Sequence, residues 1–210
     1  KQKFSGKVMN LSSGAVYGLQ SKIKNVKELD MTGPDIINPI NAYAEAKRAS
    51  ESLFSLFKKQ HNIKFVNARI FALLGPLLPL DIHFAAGNFI NCAINGNKIL
   101  INGDGTPIRS YLYPTDLILW ILFLMSNKDS EGAYNLGSDE AISIEELAKL
   151  ISNKYNVSYS VANEIDKGWN ISRYVPCNKK IIKFTNIKQS VPLEDAINRT
   201  FLWGKNNEES

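Results

Sequence analysis

Two short apolar runs, each stopping at a glycine turn and separated by a loop and a helix, restrict this chain more than any other feature. Lys7-Val8-Met9-Asn10-Leu11-Ser12 has the character of a buried parallel strand. It ends in Ser12-Ser13-Gly14-Ala15-Val16-Tyr17-Gly18, where small residues let backbone approach a ligand closely. Residues 19–40 read as a loop, broken by Gly33-Pro34 and Asn38-Pro39. A helix follows, with Asn41 as its N-cap and Ala46, Ala49, Leu53, Leu56 and Phe57 as its buried stripe, ending near His61. A second strand, Ile63 to Phe71, runs into Leu74-Gly75-Pro76. Strand, loop, helix and strand make one βαβ unit, and in open α/β sheets ligands gather at the carboxyl ends of the strands.

The helix opens with Asn41-Ala42-Tyr43-Ala44-Glu45-Ala46-Lys47, which places Tyr43 and Lys47 on one face. An ammonium beside a phenol favours the phenolate, so such a pair is a candidate general base. The spacing alone is weak, because eight tyrosines among many lysines produce it about once by accident.

Composition removes several function classes. The chain has 210 residues, 44% of them hydrophobic, enough for one large domain or two small ones. The net charge of +5 is modest and its lysines are scattered, so a nucleic-acid surface is not called for. Cys92 and Cys177 lie far apart and only His61 and His83 accompany them, which gives no metal-ligand spacing and reads as free thiols in a reducing cytoplasm. Leu117 to Met125, the most apolar run, is about half the ~20 residues a membrane span needs and reads as a buried helix.

The second half adds a short helix from Phe84 to Ile94 and a strand from Lys98 to Asn102. Then come Gly103-Asp104-Gly105-Thr106-Pro107-Ile108-Arg109-Ser110, Ala133-Tyr134-Asn135-Leu136-Gly137, and Arg173-Tyr174-Val175-Pro176. Ser143-Ile144-Glu145-Glu146 has capping-box spacing, and Pro192 opens a last helix with Leu193, Ala196, Ile197 and Phe201 inward. A polar tail follows Gly204.

Taken together, Ser13 in SSGAVYG, Tyr43 and Lys47 in NAYAEAK, Arg69-Ile70-Phe71 with Gly75-Pro76, and the stretch around Arg109 resemble the extended short-chain dehydrogenase/reductases. This is the branch of NAD-dependent nucleotide-sugar epimerases and dehydratases, and the resemblance runs from about Lys7 to Trp203. It implies an α/β fold: the C-terminal part of a Rossmann-type doubly wound parallel sheet in residues 1–80, and a smaller α/β substrate-binding region in 81–204. It also implies a catalytic trio of Ser13, Tyr43 and Lys47, with Tyr43 taking a proton from a sugar hydroxyl, usually at C4. NAD or NADP would meet Leu11, Ser12, Tyr43, Lys47 and Phe71. The nucleotide-sugar would meet Ser13, Tyr43, Asn88, Phe89, Asn102, Arg109 and Arg173, with Arg109 on the diphosphate, since guanidinium forks suit phosphate oxygens.

Departures from the family pattern narrow the chemistry. Gly14 and Ala15 stand where the 4,6-dehydratases place Asp and Glu, which argues for an epimerase or a 4-ketoreductase rather than a dehydratase. Ala72, Asn102, Ser110 and Cys177 also differ from the common residues, so the sugar and the base stay open. No glycine-rich cofactor turn precedes a helix, and the family order asks for several βα units before Lys7, about 100–120 residues. The expectation is therefore the C-terminal part of a cytoplasmic, dimeric enzyme, of the kind that serves surface-polysaccharide synthesis. The alternatives are a 4,6-dehydratase and a nucleotide-sugar-binding module without catalysis.

Overall fold

The computed structural model describes residues 6–18, 25–30, 32–61, 63–81, 84–164 and 171–208; His83 lies outside them. In chain order the strands are β1 (Lys7–Ser13), β2 (Lys64–Ile70), β3 (Ile99–Ile101), β4 (Ile108–Arg109), β5 (Gly132–Leu136), β6 (Ile142–Ser143), β7 (Tyr159–Val161) and β8 (Arg173–Tyr174). The helices are α1 (Ala42–His61), α2 (Ala85–Ile94), α3 (Pro114–Ser126), α4 (Ile144–Tyr155), α5 (Lys179–Thr185) and α6 (Leu193–Glu208).

Parallel pairing organises the first layer. β1 pairs with β2 from Lys7↔Lys64 to Ser13↔Ile70, and β2 pairs with β5 from Val66↔Gly132 to Ile70↔Leu136. The chain thus leaves this sheet after β2 and returns to it with β5, so the sequence divides near residue 80 less cleanly than the two sheets do. Between these visits it begins a second region, in which β3 pairs with β7 in parallel against α2 and α4, and α6 packs on α2. Leu74, Ile90, Ile99, Leu147, Ile151 and Ile197 are fully buried there. A third small sheet sets β4 between antiparallel β6 and parallel β8.

The two faces of the first sheet differ in chemistry. On one, Val66, Ala68, Tyr134 and Leu136 pack against Leu117, Trp120 and Leu124 of α3. On the other lie Asn10, Ser12, Asn67 and Arg69, and α1 meets them with polar side chains. Asn10 Nδ2 donates to Ser50 Oγ at 3.1 Å and Ser12 Oγ donates to Glu51 Oε1 at 2.6 Å. The apolar stripe expected to be buried is therefore turned outward: Ala46 and Ala49 are exposed, as are Leu53 (56%), Leu56 (48%) and Phe57 (50%).

α3 departs from expectation in the same sense, since its far side leaves Ile118, Leu119, Leu122 and Met125 exposed. Asn41 does not cap α1; it closes a short 3-10 turn, and its amide donates to Asp35 O. α4 does carry the expected box, with Ser143 Oγ accepting from Glu146 N and Glu146 reaching back to Ser143 N. α6 runs through Gly204 to Glu208, so residues 205–208 are helical rather than a tail. Gly204 permits this close approach, because a Cβ there would lie 2.6 Å from Ile94 Cδ1.

Candidate functional site

The site begins where β1 runs out. Ser13 ends the strand and caps the next turn, its Oγ accepting from Ala15 N at 3.2 Å. Gly14 follows because nothing larger fits: a Cβ there would stand 2.5 Å from two atoms of the Phe71 ring. That ring packs against Tyr17, Val16 and Val26, and lies 4.7 Å from the Tyr174 ring, centroid to centroid.

α1 brings the other half of this corner. Lys47 Nζ donates to Leu11 O at 2.7 Å and sits 5.7 Å from the centre of the Tyr43 ring. Tyr43 is 59% exposed and Leu11 53%. The ammonium has further protons to donate toward this open flank. One turn further on, Glu51 accepts from both Ser12 Oγ and Arg69.

Two of the residues expected at a cofactor are employed differently. Ser12 is 3% exposed and its hydroxyl turns toward Glu51, which leaves only its backbone at the strand end. Phe71 is 4% exposed and is the wall behind Gly14.

From Ser13 the site continues into a cavity of about 550 Å³, lined by Phe71, Phe84, Arg109, Tyr111, Ile144 and Tyr174. Ser13 Oγ and Tyr174 OH are 3.4 Å apart, which links the strand end to this cavity. A second hollow of about 270 Å³, lined by Asn88, Phe89, Leu100 and Asn102, shares Ala85, Pro107 and Ile144 with the first. The two form one cleft, and Asn88, Phe89, Asn102 and Arg109 all border it.

Arg109 gives the cleft its charge. Its Nη1 donates to Ile108 O at 2.9 Å and Ser172 O at 3.1 Å, and no carboxylate among the described residues forms an ion pair with it. Burial draws its guanidinium below the ordinary value, while the phenols of Tyr111 and Tyr174 act the other way. A sheltered arginine without a carboxylate is suited to a bound anion. Burial likewise pushes Tyr111 up to about 12, against the opposing charge of Arg109, so its hydroxyl stays protonated at neutral pH.

Arg173 is not part of this cleft lining. Its Nη2 donates to Asn25 Oδ1 at 2.9 Å, toward the loop after β1. Successive residues of a strand face opposite ways, so the cleft receives Tyr174 instead, opposite Arg109 in the β4–β8 register. The signal for Tyr174 was thus strand alternation, and the signal for Glu51 was its place four residues beyond Lys47. No cluster of potential metal ligands occurs among the described residues. None of their helices is long and apolar enough to cross a membrane.

Comparison with known proteins follows this geometry. The model of the NAD dependent epimerase/dehydratase family matches residues 1–137. UDP-glucuronic acid decarboxylase 3 of Arabidopsis thaliana is 32% identical over 128 residues, 60% of this chain and 37% of that protein. The dTDP-D-glucose 4,6-dehydratase of Dictyostelium discoideum is 26% identical over 244 residues, 96% of this chain and 55% of that one. The chain therefore spans about two-fifths to just over half the length of these relatives. The structure of UDP-glucose 4-epimerase from Thermotoga maritima with UDP-glucose superposes with a TM-score of 0.81, covering 96% of this chain and 64% of that one. At 22% identity that likeness is one of fold.

Proposed function

The chain belongs to the NAD dependent epimerase/dehydratase family, and from that membership we propose that it carries the proton-transfer corner and substrate cleft of a nucleotide-sugar epimerase or 4-ketoreductase. The observation that carries this reading is the continuity from Ser13, through Tyr174, to Arg109. One end of the cleft adjoins the Ser13 and Tyr174 hydroxyls, with the Tyr43–Lys47 pair on the α1 side of the same strand, and the cleft also offers a cation without a carboxylate.

In this reading Tyr43 takes the proton of the sugar C4 hydroxyl, while Ser13 holds the same oxygen by a hydrogen bond. Lys47 stays beside Tyr43, anchored on Leu11 O, and turns its remaining protons to the ribose of the cofactor. NAD or NADP, held beside Lys47 and Leu11, would supply the hydride acceptor for the sugar carbon. Arg109 binds the diphosphate, and the hollow at Phe89 and Asn102 takes the nucleoside. The outward stripe of Leu53, Leu56 and Phe57 on α1 suits pairing with a second copy, which sedimentation would detect.

Elimination of water at C5–C6 needs a proton donor and a base near Ser13. Gly14 and Ala15 provide neither, and the Phe71 ring fills the space a side chain at 14 would need. Decarboxylation is the second reading, favoured by the likeness to a UDP-glucuronic acid decarboxylase. Oxidation at C4 makes the C5 carboxylate part of a β-keto acid, which releases CO2 without a carboxylic acid at position 14 or 15.

The test is turnover of UDP-glucose, dTDP-glucose and UDP-glucuronic acid with NAD or NADP, by the protein and by its Tyr43→Phe variant. The expected result is a C4-epimerised sugar or, when a nucleotide-4-keto-sugar is supplied with NADH or NADPH, the corresponding C4 alcohol. Loss of the phenol lowers turnover by about 100-fold or more at unchanged nucleotide-sugar affinity. CO2 released from UDP-glucuronic acid selects the second reading. A variant that turns over like the wild type removes Tyr43 from the chemistry, and binding without turnover leaves a binding module.

A further inference from the structure

The side chains that line the larger hollow of the cleft divide by chemistry. Among the described residues its polar side chains are Arg109, Tyr111 and Tyr174, from β4, from just beyond it and from β8. The segment after β2 contributes Ala72, Leu73 and Leu78, the approach to α2 contributes Phe84, and Pro107 and Ile144 add to them. None of these carries a side-chain donor or acceptor. Phe84 is exposed just before α2, so the carbon wall reaches the open rim. A ligand that presents carbon to such a wall gains by leaving water, whereas one that presents a hydroxyl strands it without a partner.

A pyranose has one edge of each kind. With its C4 oxygen at Ser13 and its C1 oxygen on the diphosphate at Arg109, the ring presents the hydroxyls of C2 and C3 along one edge. Along the other it presents the ring oxygen and C5, which carries C6. The hydroxyl edge needs the polar side chains, so C6 is left to the carbon wall. We propose that the cleft takes a nucleotide-linked 6-deoxy sugar, whose C6 is a methyl group, in preference to a sugar with a C6 hydroxyl or carboxylate. This rests on the nucleotide-sugar reading of the cleft. A methyl gains from burial against Leu78, Phe84 and Ile144, whereas a hydroxyl or carboxylate there gives up water and finds no donor. The same preference gives the reaction a place in a sequence. Gly14 and Ala15 supply no acid or base to expel a C6 hydroxyl, and the Phe71 ring fills the space at Gly14. The methyl is therefore formed before the sugar arrives, by an internal dehydration that moves hydride from C4 to C6 and releases the C6 hydroxyl as water. That reaction leaves a ketone at C4, the carbon placed at Ser13.

The experiment is calorimetric titration of the protein with the UDP and dTDP conjugates of glucose and of 6-deoxyglucose, repeated on Leu78→Asn. On the nucleotide the protein prefers, the 6-deoxy conjugate should bind about 10- to 100-fold more tightly than the glucose conjugate, the range over which an apolar pocket rejects an added hydroxyl. Leu78→Asn brings a donor and an acceptor to the wall and should narrow that ratio by about three- to tenfold, the range for one net hydrogen bond. Equal affinities in the wild type, or tighter binding of the glucose conjugate, overturn the proposal and leave the nucleotide-sugar reading standing. A ratio that Leu78→Asn leaves unchanged overturns the role of the wall. A wild type that binds none of these conjugates overturns the nucleotide-sugar reading itself. Should Leu78→Asn fail to fold, Phe84→Ser, at an exposed position, replaces it under the same criteria.

Discussion

Glu51 and Arg69 form a two-point ion pair between α1 and β2. Arg69 Nε donates to Glu51 Oε1 at 2.9 Å and Arg69 Nη2 to Glu51 Oε2 at 2.6 Å, with side-chain exposures of 10% and 13%. Arg69 Nη1 also donates to Tyr17 OH at 2.7 Å and to Glu28 O at 3.0 Å. Tyr43, Lys47 and Glu51 recur every four residues, so the pair fixes the helix face that carries the phenol and the ammonium. Removing one partner strands a buried charge. Glu51→Ala should lower unfolding stability by about 3–5 kcal/mol in a denaturant titration, whereas the apolar pair Glu51→Leu with Arg69→Met should recover most of that loss. A loss below about 1 kcal/mol would place the pair among surface salt bridges.

Asp116 gives a second stability prediction. It is 1% exposed in the first turn of α3 and accepts from Ser190 Oγ at 2.6 Å, Ser190 N at 3.1 Å and Val191 N at 3.2 Å. Those bonds hold the segment that leads into α6. Asp116→Ala leaves buried donors without acceptors, each worth about 1–3 kcal/mol, so the loss should exceed that of any single exposed substitution on α6. Thermal unfolding of Asp116→Ala beside Lys205→Ala makes the comparison.

Alkali should destabilise the protein through its buried phenols. Burial pushes both Tyr17 and Tyr111 up to about 12 from an ordinary value of 10.0, with Arg69 and Arg109 respectively opposing the shift. The folded value lies above the unfolded one, so the contribution to stability is complete below about pH 10. Between about 10 and 12 the unfolded chain gives up these protons and the folded chain keeps them. Stability should then fall by up to about 1.4 kcal/mol per pH unit for each phenol, and the contribution is gone above about 12. Denaturation at successive pH values tests this, and Tyr111→Phe should remove one phenol's share of the slope.

The sequence made some of this visible and inverted other parts, for physical reasons. β1, β2 and the Ser143–Glu146 box were legible because strand character, glycine stops and cap spacing are local signals. The orientation of α1 was not. Apolar periodicity points a helix inward only where the surface beneath it is apolar, and here that surface is Asn10, Ser12, Asn67 and Arg69. The outward side of α3 misled in the same way, since an all-round apolar helix has no pattern from which to choose a face. At the site, Arg109, Asn102 and Phe89 were named from the resemblance to the family's motifs, and they line the two hollows of the cleft. Tyr174 was passed over for Arg173, because choosing between strand neighbours requires knowing which face of β8 looks into the cleft.

Arg109 carries the sharpest binding prediction. It enters the cleft from a two-residue strand, tied to the backbone at Ile108 O and Ser172 O through a single nitrogen, which leaves the rest of its fork for a ligand. A charge-assisted hydrogen bond contributes about 1.5–3 kcal/mol, so Arg109→Gln should weaken UDP binding by roughly 10- to 100-fold. Arg109→Lys keeps the charge and loses the planar fork, and should fall between the two. A sheltered pair is screened less than a surface one, so the wild-type advantage should persist when salt is raised from 0.05 M to 0.5 M. If the difference between wild type and Arg109→Gln disappears over that range, the phosphates are being held by exposed lysines, and Arg109 serves only to brace β4 against β8.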